Sequence, residues 1–278
     1  MLGGVVLDKT QPIGVFDSGL GGLTVATRVF SELPHENVVY LADTSRVPYG
    51  PLPKETVAGF VMEICEFLVG QNCKAIVIAC NTATAAGLEA AQKAFDLPII
   101  GVIKPGARMA VRTTRNATVG VLGTEGTIKS GAYPREIQAL MPGAKVFGQA
   151  CPKFTILVEG GRKNPEEINE AVRGYLKNLE GAGFDTLVLG CTHYPLLADY
   201  IQPVVGNGVT LVNPAVETVE DLKKILAAKN LFNDVSNPSR VFYTSSDIEV
   251  FRSVASVILG ISARDASAMD IRHMDWKS

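Results

Sequence analysis

Ala75-Ile76-Val77-Ile78-Ala79-Cys80-Asn81-Thr82 and, further along the chain, Thr186-Leu187-Val188-Leu189-Gly190-Cys191-Thr192-His193 follow one pattern. In each, an apolar run ends at a small residue, then a thiol, then side chains that can donate hydrogen bonds. A short apolar run without alternation reads as a strand buried on both faces of a parallel sheet. Open parallel sheets bind ligands outside the carboxyl ends of their strands. Both thiols are therefore expected to point into a ligand crevice. Two matched thiols, one from each half of the chain, could act on opposite faces of a single substrate atom, an arrangement suited to inverting a carbon centre.

Outward from these two stretches, similar apolar runs recur. Strands are expected at Ile13–Phe16, Val38–Ala42, Ala75–Ala79, Pro98–Val102, Thr118–Leu122, Lys145–Gln149, Thr186–Gly190 and Val209–Val212, with a late one at Arg240–Tyr243. Between them lie helical patterns such as Glu55–Gly70 and Glu166–Gly181, each closed by a glycine. Alternating strands and helices imply parallel α/β architecture with right-handed crossovers. A weak internal repeat refines this. Ile13-Gly14-Val15-Phe16-Asp17-Ser18 resembles Val119-Gly120-Val121-Leu122-Gly123-Thr124, and the separation nearly equals that between Cys80 and Cys191. The chain thus reads as two pseudo-symmetric, Rossmann-like or flavodoxin-like parallel-sheet domains facing each other across a cleft.

Composition narrows the function classes. Of the 278 residues 47% are hydrophobic and 19% charged, enough apolar material for a substantial core. A net charge of −2 gives no electrostatic footprint for nucleic acid. No apolar stretch has the length of a membrane span. Met1–Lys9 carries neither a basic leader nor a long apolar segment, a poor secretory signal. The five cysteines include no CxxC pair, which argues against a disulfide framework or zinc ribbon and favours a reducing cytoplasm. Cys65 and Cys73 read as small core hydrophobes, and Cys151 as structural. Cys191-x-His193 with a distant Cys80 lacks the spacing of a metal site, so no metal is expected.

Several segments after strands could carry chemistry. Asp17-Ser18-Gly19-Leu20-Gly21-Gly22 lets the backbone turn sharply and present N–H groups near a helix start, a natural anion site, with Asp17 as a helix cap the lesser alternative. The segment is not GxGxxG and no GKS/T follows, so nucleotides are not favoured. Asp43 to Pro51, with its prolines and Gly50, reads as a rigid loop able to fix donors near a ligand. Gly123-Thr124-Glu125-Gly126-Thr127 gathers hydroxyls and N–H groups, and fits a capped helix start as well. Glu159 precedes two glycines and is either a carboxylate presented to the cleft or a solvent-facing loop residue. His193 is a natural proton partner for Cys191: imidazole titrates near ~6.5 unperturbed, and an imidazolium favours a neighbouring thiolate.

Jointly these strings resemble the glutamate racemases. The resemblance is carried by Asp17-Ser18-Gly19-Leu20-Gly21-Gly22-Leu23-Thr24-Val25, Ala42-Asp43 with Pro48-Tyr49-Gly50, Ala79-Cys80-Asn81-Thr82-Ala83, Leu157-Val158-Glu159-Gly160-Gly161 and Leu189-Gly190-Cys191-Thr192-His193-Tyr194-Pro195. It implies cofactor-independent interconversion of L- and D-glutamate, supplying D-glutamate for peptidoglycan. Carried onto this sequence, Cys191 would take the α-proton of L-glutamate and Cys80 would reprotonate the other face. Asp17 would assist Cys80, while Glu159 and His193 would assist Cys191. Substrate contacts would come from Asp17, Ser18, Tyr49, Gly50, Asn81, Thr82, Thr124, Thr192 and His193. The family's architecture implies one domain from residues 1–103 with 216–278 and another from 104–215, and a homodimer. One departure stands out: Asn213-Pro214 replaces the Asp-Ser string of many relatives, which puts local contacts near the second crossing in question. Met1–Gln11 shows no sign of an activator site.

Three other readings compete. A decarboxylase or isomerase of the same superfamily would often keep one working thiol, whereas both motifs are intact here. A cysteine hydrolase would pair Cys191 with His193, leaving Cys80 unexplained and asking residues two apart for dyad geometry they rarely have. A binding protein on the same fold would bind ligand without turning it over. The chemistry itself is demanding, because an α-carbanion here lacks the electron sink that pyridoxal phosphate provides. An unassisted thiol near ~8.5 is only slightly ionised at neutral pH. Helix N-termini after Cys80 and Cys191 are expected to favour the thiolates.

Overall fold

A computed structural model describes residues 7–161 and 164–276; the first six residues of the amino-terminal extension therefore lie outside the described chain. Among the described residues ten strands are present: β1 (Ile13–Asp17), β2 (Val38–Ala42), β3 (Ala75–Ile78), β4 (Ile99–Gly101), β5 (Thr118–Gly123), β6 (Lys145–Ala150), β7 (Thr186–Gly190), β8 (Thr210–Val212), β9 (Arg240–Thr244) and β10 (Asp270–His273). They form two sheets, ordered β10-β9-β2-β1-β3-β4 and β6-β5-β7-β8, and every pairing is parallel. Within the first sheet the order β2-β1-β3-β4 matches β6-β5-β7-β8 of the second, strand for strand. The internal repeat read from sequence is thus a topological repeat, β1 corresponding to β5 and β3 to β7.

Burial explains why the strands lack alternation. Ile13, Val15, Val38, Tyr40, Ala75 and Val77 pack into one apolar cluster, while their neighbours Phe16, Val39, Leu41, Ile76 and Ile78 pack into another on the opposite face. The second sheet repeats the pattern, with Leu122, Leu187 and Leu189 on one side and Val119, Val121 and Val188 on the other. Successive side chains point to opposite faces, so a strand covered by helices on both sides must be apolar throughout.

The expected strands all form, with small shifts at their ends. β10 was not expected: Asp-Ile-Arg-His is mostly exposed at the sheet edge, where charged side chains discourage further pairing and erase the apolar signature. The helix expected at Glu166–Gly181 runs Pro165–Lys177, because the chain turns through Asn178–Gly183 before β7. Asn213, the departure noted above, caps the helix Pro214–Ala228 by accepting the Ala215 N–H at 3.0 Å, with Pro214 at the first helical position. Asn is as good a cap as Asp or Ser, so the replacement preserves the local turn. That helix lies against Ile103–Thr113, the segment joining the two sheets. Arg108 and Arg112 both reach the buried Glu217, and Arg108 also reaches Asp221 at 2.6 Å. No described helix is long and apolar enough to cross a membrane.

Candidate active site

In an open sheet ordered 2-1-3-4 the crevice lies where the order reverses, between strands 1 and 3. Both sheets place their reversal point at one shared cavity of about 220 Å³. Ser18 follows β1, Cys80, Asn81 and Thr82 follow β3, Thr124 follows β5, and Cys191, Thr192 and His193 follow β7; all line it. The loop after β2 adds Tyr49 and Gly50, and the helix Pro152–Glu159 after β6 adds Glu159. Of the residues singled out from sequence, Asp17 alone stands behind the lining.

Asp17 is fully buried, its carboxylate accepting the N–H groups of Gly22 at 3.0 Å and Gly19 at 3.2 Å and facing the Thr192 hydroxyl at 3.4 Å. Burial raises its pKa, against the pull of His193 and these N–H donors. Gly21 and Gly22 make the close approach feasible. A Cβ on Gly22 would sit 2.4 Å from Asp17 Cβ, and one on Gly21 would sit 2.5 Å from Thr192 Oγ1. Gly22 therefore lets the loop fold back onto Asp17, and Gly21 lets it press against the Thr192–His193 turn of the other sheet.

The two thiols occupy equivalent positions in different surroundings. Cys80, 6% exposed, caps the helix Asn81–Ala94 by accepting the Ala83 N–H at 3.4 Å, and lies 3.6 Å from Ser18 Oγ. Burial, then the Asp17 carboxylate, push it up to about 12, overriding the helix terminus. Cys80 is therefore a thiol, the helix start that would favour its thiolate being outweighed by burial and Asp17. Cys191 is followed by a single 3-10 turn, Tyr194–Leu197, so a long helix start is not what it faces. Its Sγ instead lies 3.6 Å from His193 Nδ1, and His193 Nε2 lies 3.1 Å from Glu159 Oε1. Burial opposes charge on His193, but Cys191 and Glu159 outweigh it and hold the imidazole up at about 10. As an imidazolium it donates from both nitrogens, one towards each partner. Residues two apart thus do make contact here, which removes the geometric objection to a Cys–His pair.

Around the thiols the polar walls are tied together. Tyr133 OH donates to Asn81 Oδ1 at 2.8 Å, fixing the Asn81 amide in the cavity wall. The hydroxyls of Thr82 and Thr124, from opposite sheets, lie 2.7 Å apart. Gly50 O accepts the Gly126 N–H at 2.9 Å, a second bond across the cleft. Tyr49 OH donates to the buried Asp43 carboxylate. Sequence reasoning missed Val47, Thr155 and Ile156, which also line the cavity. Thr155 and Ile156 lie four and three residues before Glu159, on one helical face, a signal available only once Pro152–Glu159 is recognised as a helix. Cys151 is buried outside the cavity, its Sγ 3.6 Å from Gln149 O, and Cys65 and Cys73 lie in the apolar core. Among the described residues no group of three or more His, Cys, Asp or Glu side chains is placed to hold a metal ion.

Comparison with known proteins assigns this architecture. The family model described as Asp/Glu/hydantoin racemase matches residues 24–222. Glutamate racemase of Corynebacterium diphtheriae is 49% identical over 253 residues, covering 91% of this chain and 95% of the relative. The chain belongs to the glutamate racemase family. Two solved family structures superimpose closely. Glutamate racemase isoform RacE1 from Bacillus anthracis gives a TM-score of 0.91 at 41% identity, covering 96% of this chain and 98% of the other. Glutamate racemase from Francisella tularensis, in complex with D-glutamate, gives 0.86 at 33% identity, covering 97% and 98%. Like these glutamate racemases, the chain is an isomerase that racemises glutamate.

Proposed function

We propose that the chain interconverts L- and D-glutamate without a cofactor, by two bases acting on opposite faces of Cα. The observation that carries this is the pairing of equivalent thiols on one cavity, Cys80 held protonated and Cys191 beside an imidazolium. Cys191 Sγ, as thiolate balanced by His193, takes the α-proton of L-glutamate and becomes a thiol. Cys80 gives its proton to the other face and becomes the thiolate. In the reverse direction the roles exchange, so each turnover leaves the two thiols with swapped protons that must be reset. The charge on His193 is sustained by Glu159, and Asp17 keeps Cys80 protonated while positioning Thr192.

Substrate binding falls to Ser18, Tyr49, Gly50, Asn81, Thr82, Thr124, Thr192 and His193, with Asp17 acting from behind the lining. Fixed N–H and hydroxyl donors on the substrate carboxylates stabilise the charge that builds up as Cα loses its proton. The D-glutamate bound in the Francisella tularensis relative supports this ligand. Domain crossings near Lys104 and Val216, a homodimer, a cytoplasmic location and supply of D-glutamate to peptidoglycan complete the reading. A Cys191–His193 hydrolase is favoured by their contact alone, and gives no role to the matching Cys80.

The test follows L-glutamate in D₂O with no added cofactor, by circular dichroism and NMR. Decay to zero rotation is expected, and early in the reaction the D-product carries deuterium at Cα while remaining L-glutamate keeps its hydrogen. Equal early labelling of both enantiomers would indicate one base serving both faces, and absence of decay would refute racemisation.

A further inference from the structure

One carboxylate outside the cavity collects donors from distant parts of the chain. Asp43 follows β2 and is fully buried. Its Oδ1 accepts the indole N–H of Trp276 at 2.6 Å and the Ser245 hydroxyl at 3.0 Å. Its Oδ2 accepts Arg46 Nε at 2.6 Å and the hydroxyl of Tyr49. Burial and the Asp43 charge push the Tyr49 phenol well up, so it remains the donor. Trp276 also covers Arg46, whose guanidinium carbon lies 3.8 Å from the indole centre and 3.9 Å from that of Phe60. Further along the same loop, Ser45 bonds to Ser245 through both its N–H and its hydroxyl.

We infer that Trp276 is a positioning residue for the cavity wall formed by Tyr49 and Gly50, acting through Asp43. A buried carboxylate has about four lone-pair positions, and here four donors fill them, fixing its orientation. With Asp43 fixed, the Tyr49 hydroxyl has one place to go. The Tyr49 ring packs on Phe60 at 5.4 Å, and Gly50 is delivered to Gly126 across the cleft. Without the indole N–H, Oδ1 keeps only Ser245, and the carboxylate can turn. The carboxy-terminal segment, reached through β9 and β10 and remote from the thiols in sequence, thereby sets the shape of the substrate-facing wall.

The inference rests on the racemase reading, and the two are separable by running the wild type alongside. Trp276→Phe keeps an aromatic face for Arg46 and removes the donor. Losing a bond to a charged acceptor, transmitted through one residue, is expected to raise KM about three- to tenfold for both enantiomers, with kcat changed less than about twofold. In the double variant Trp276→Phe/Tyr49→Phe, KM should rise little beyond that of Tyr49→Phe alone, because both changes break one chain of contacts. If Trp276→Phe also lowers the melting temperature, this non-additivity still distinguishes positioning from general stability. Wild-type KM in Trp276→Phe, or full additivity with Tyr49→Phe, would overturn the inference. Absent turnover in the wild type would instead overturn the racemase reading.

Discussion

Replacing Gly21 by alanine is the sharpest steric test of how the two sheets share one site. The new Cβ would lie 2.5 Å from Thr192 Oγ1, 2.6 Å from His193 Nδ1 and 2.7 Å from His193 Cε1. Ordinary contact begins near 3.4 Å, so the Thr192–His193 turn must retreat by about 0.9 Å relative to the β1 loop. Neither neighbour is a free side-chain end: Thr192 faces Asp17, and His193 is held by Cys191 and Glu159. A displacement of about 1 Å in a reacting constellation costs on the order of a hundredfold in rate, or roughly 2.7 kcal/mol of transition-state stabilisation. The assay is kcat/KM for both enantiomers by circular dichroism, with thermal melts alongside. Two other glycines serve as controls. Gly59→Ala has nothing within 4 Å of its Cβ and lies inside the helix Lys54–Gly70, so it should leave kcat unchanged and add about 0.5–1 kcal/mol of stability. Gly87→Ala places Cβ 2.6 Å from Val61 Cβ between two helices, and should cost about 1–3 kcal/mol of stability by overpacking. Wild-type kcat/KM in Gly21→Ala would refute the claim that the glycine loop sets the position of the Cys191 turn.

Two substitutions probe the charges. Asp17→Asn removes a carboxylate that raises Cys80, so the alkaline limb of kcat/KM for L-glutamate should move to lower pH and kcat should fall, with far-ultraviolet circular dichroism unchanged; an unaltered rate and profile would reduce Asp17 to a turn-former. Glu159→Gln removes a partner that raises His193. Because the folded value of about 10 lies above the ordinary 6.5, the pairing stabilises the fold fully below about 6.5 and is lost as pH rises through about 10; in the variant the stabilisation should be smaller and its loss complete at lower pH. An NMR titration of His193, one of three histidines, reads the shift directly, and an unmoved midpoint would contradict the assigned coupling.

What the sequence showed plainly was what burial writes into composition. β1, β3, β5 and β7 are covered on both faces, and their apolar runs point straight to the cavity at their ends. β10 was invisible because an exposed edge carries charges rather than a pattern. Site residues on those strand ends were legible from their strings. Their electrostatics were not, because Cys80's state depends on Asp17 and on burial, both products of the tertiary fold. The pairing of Cys191 with His193 was legible from their adjacency, whereas the long helix expected after Cys191 is a short 3-10 turn. Gly21 and Gly22 read as a turn presenting N–H groups, whereas in the fold Gly21 clears space for the Thr192–His193 turn of the opposite sheet and Gly22 for Asp17 and Tyr40 of its own. Trp276 gave no local signal at all, since its meaning lies in reaching a carboxylate from the far end of the chain.

The most direct test of the two-base claim is enantiomer-specific exchange in Cys80→Ser and Cys191→Ser, followed by NMR in D₂O. Racemisation should be nearly abolished in both while the fold is retained. Cys80→Ser should still deuterate L-glutamate at Cα with retention, through Cys191, and leave D-glutamate unlabelled. Cys191→Ser should do the reverse. Deuteration of both enantiomers by either variant, or racemisation at the wild-type rate, would contradict the assignment of one thiol to each face.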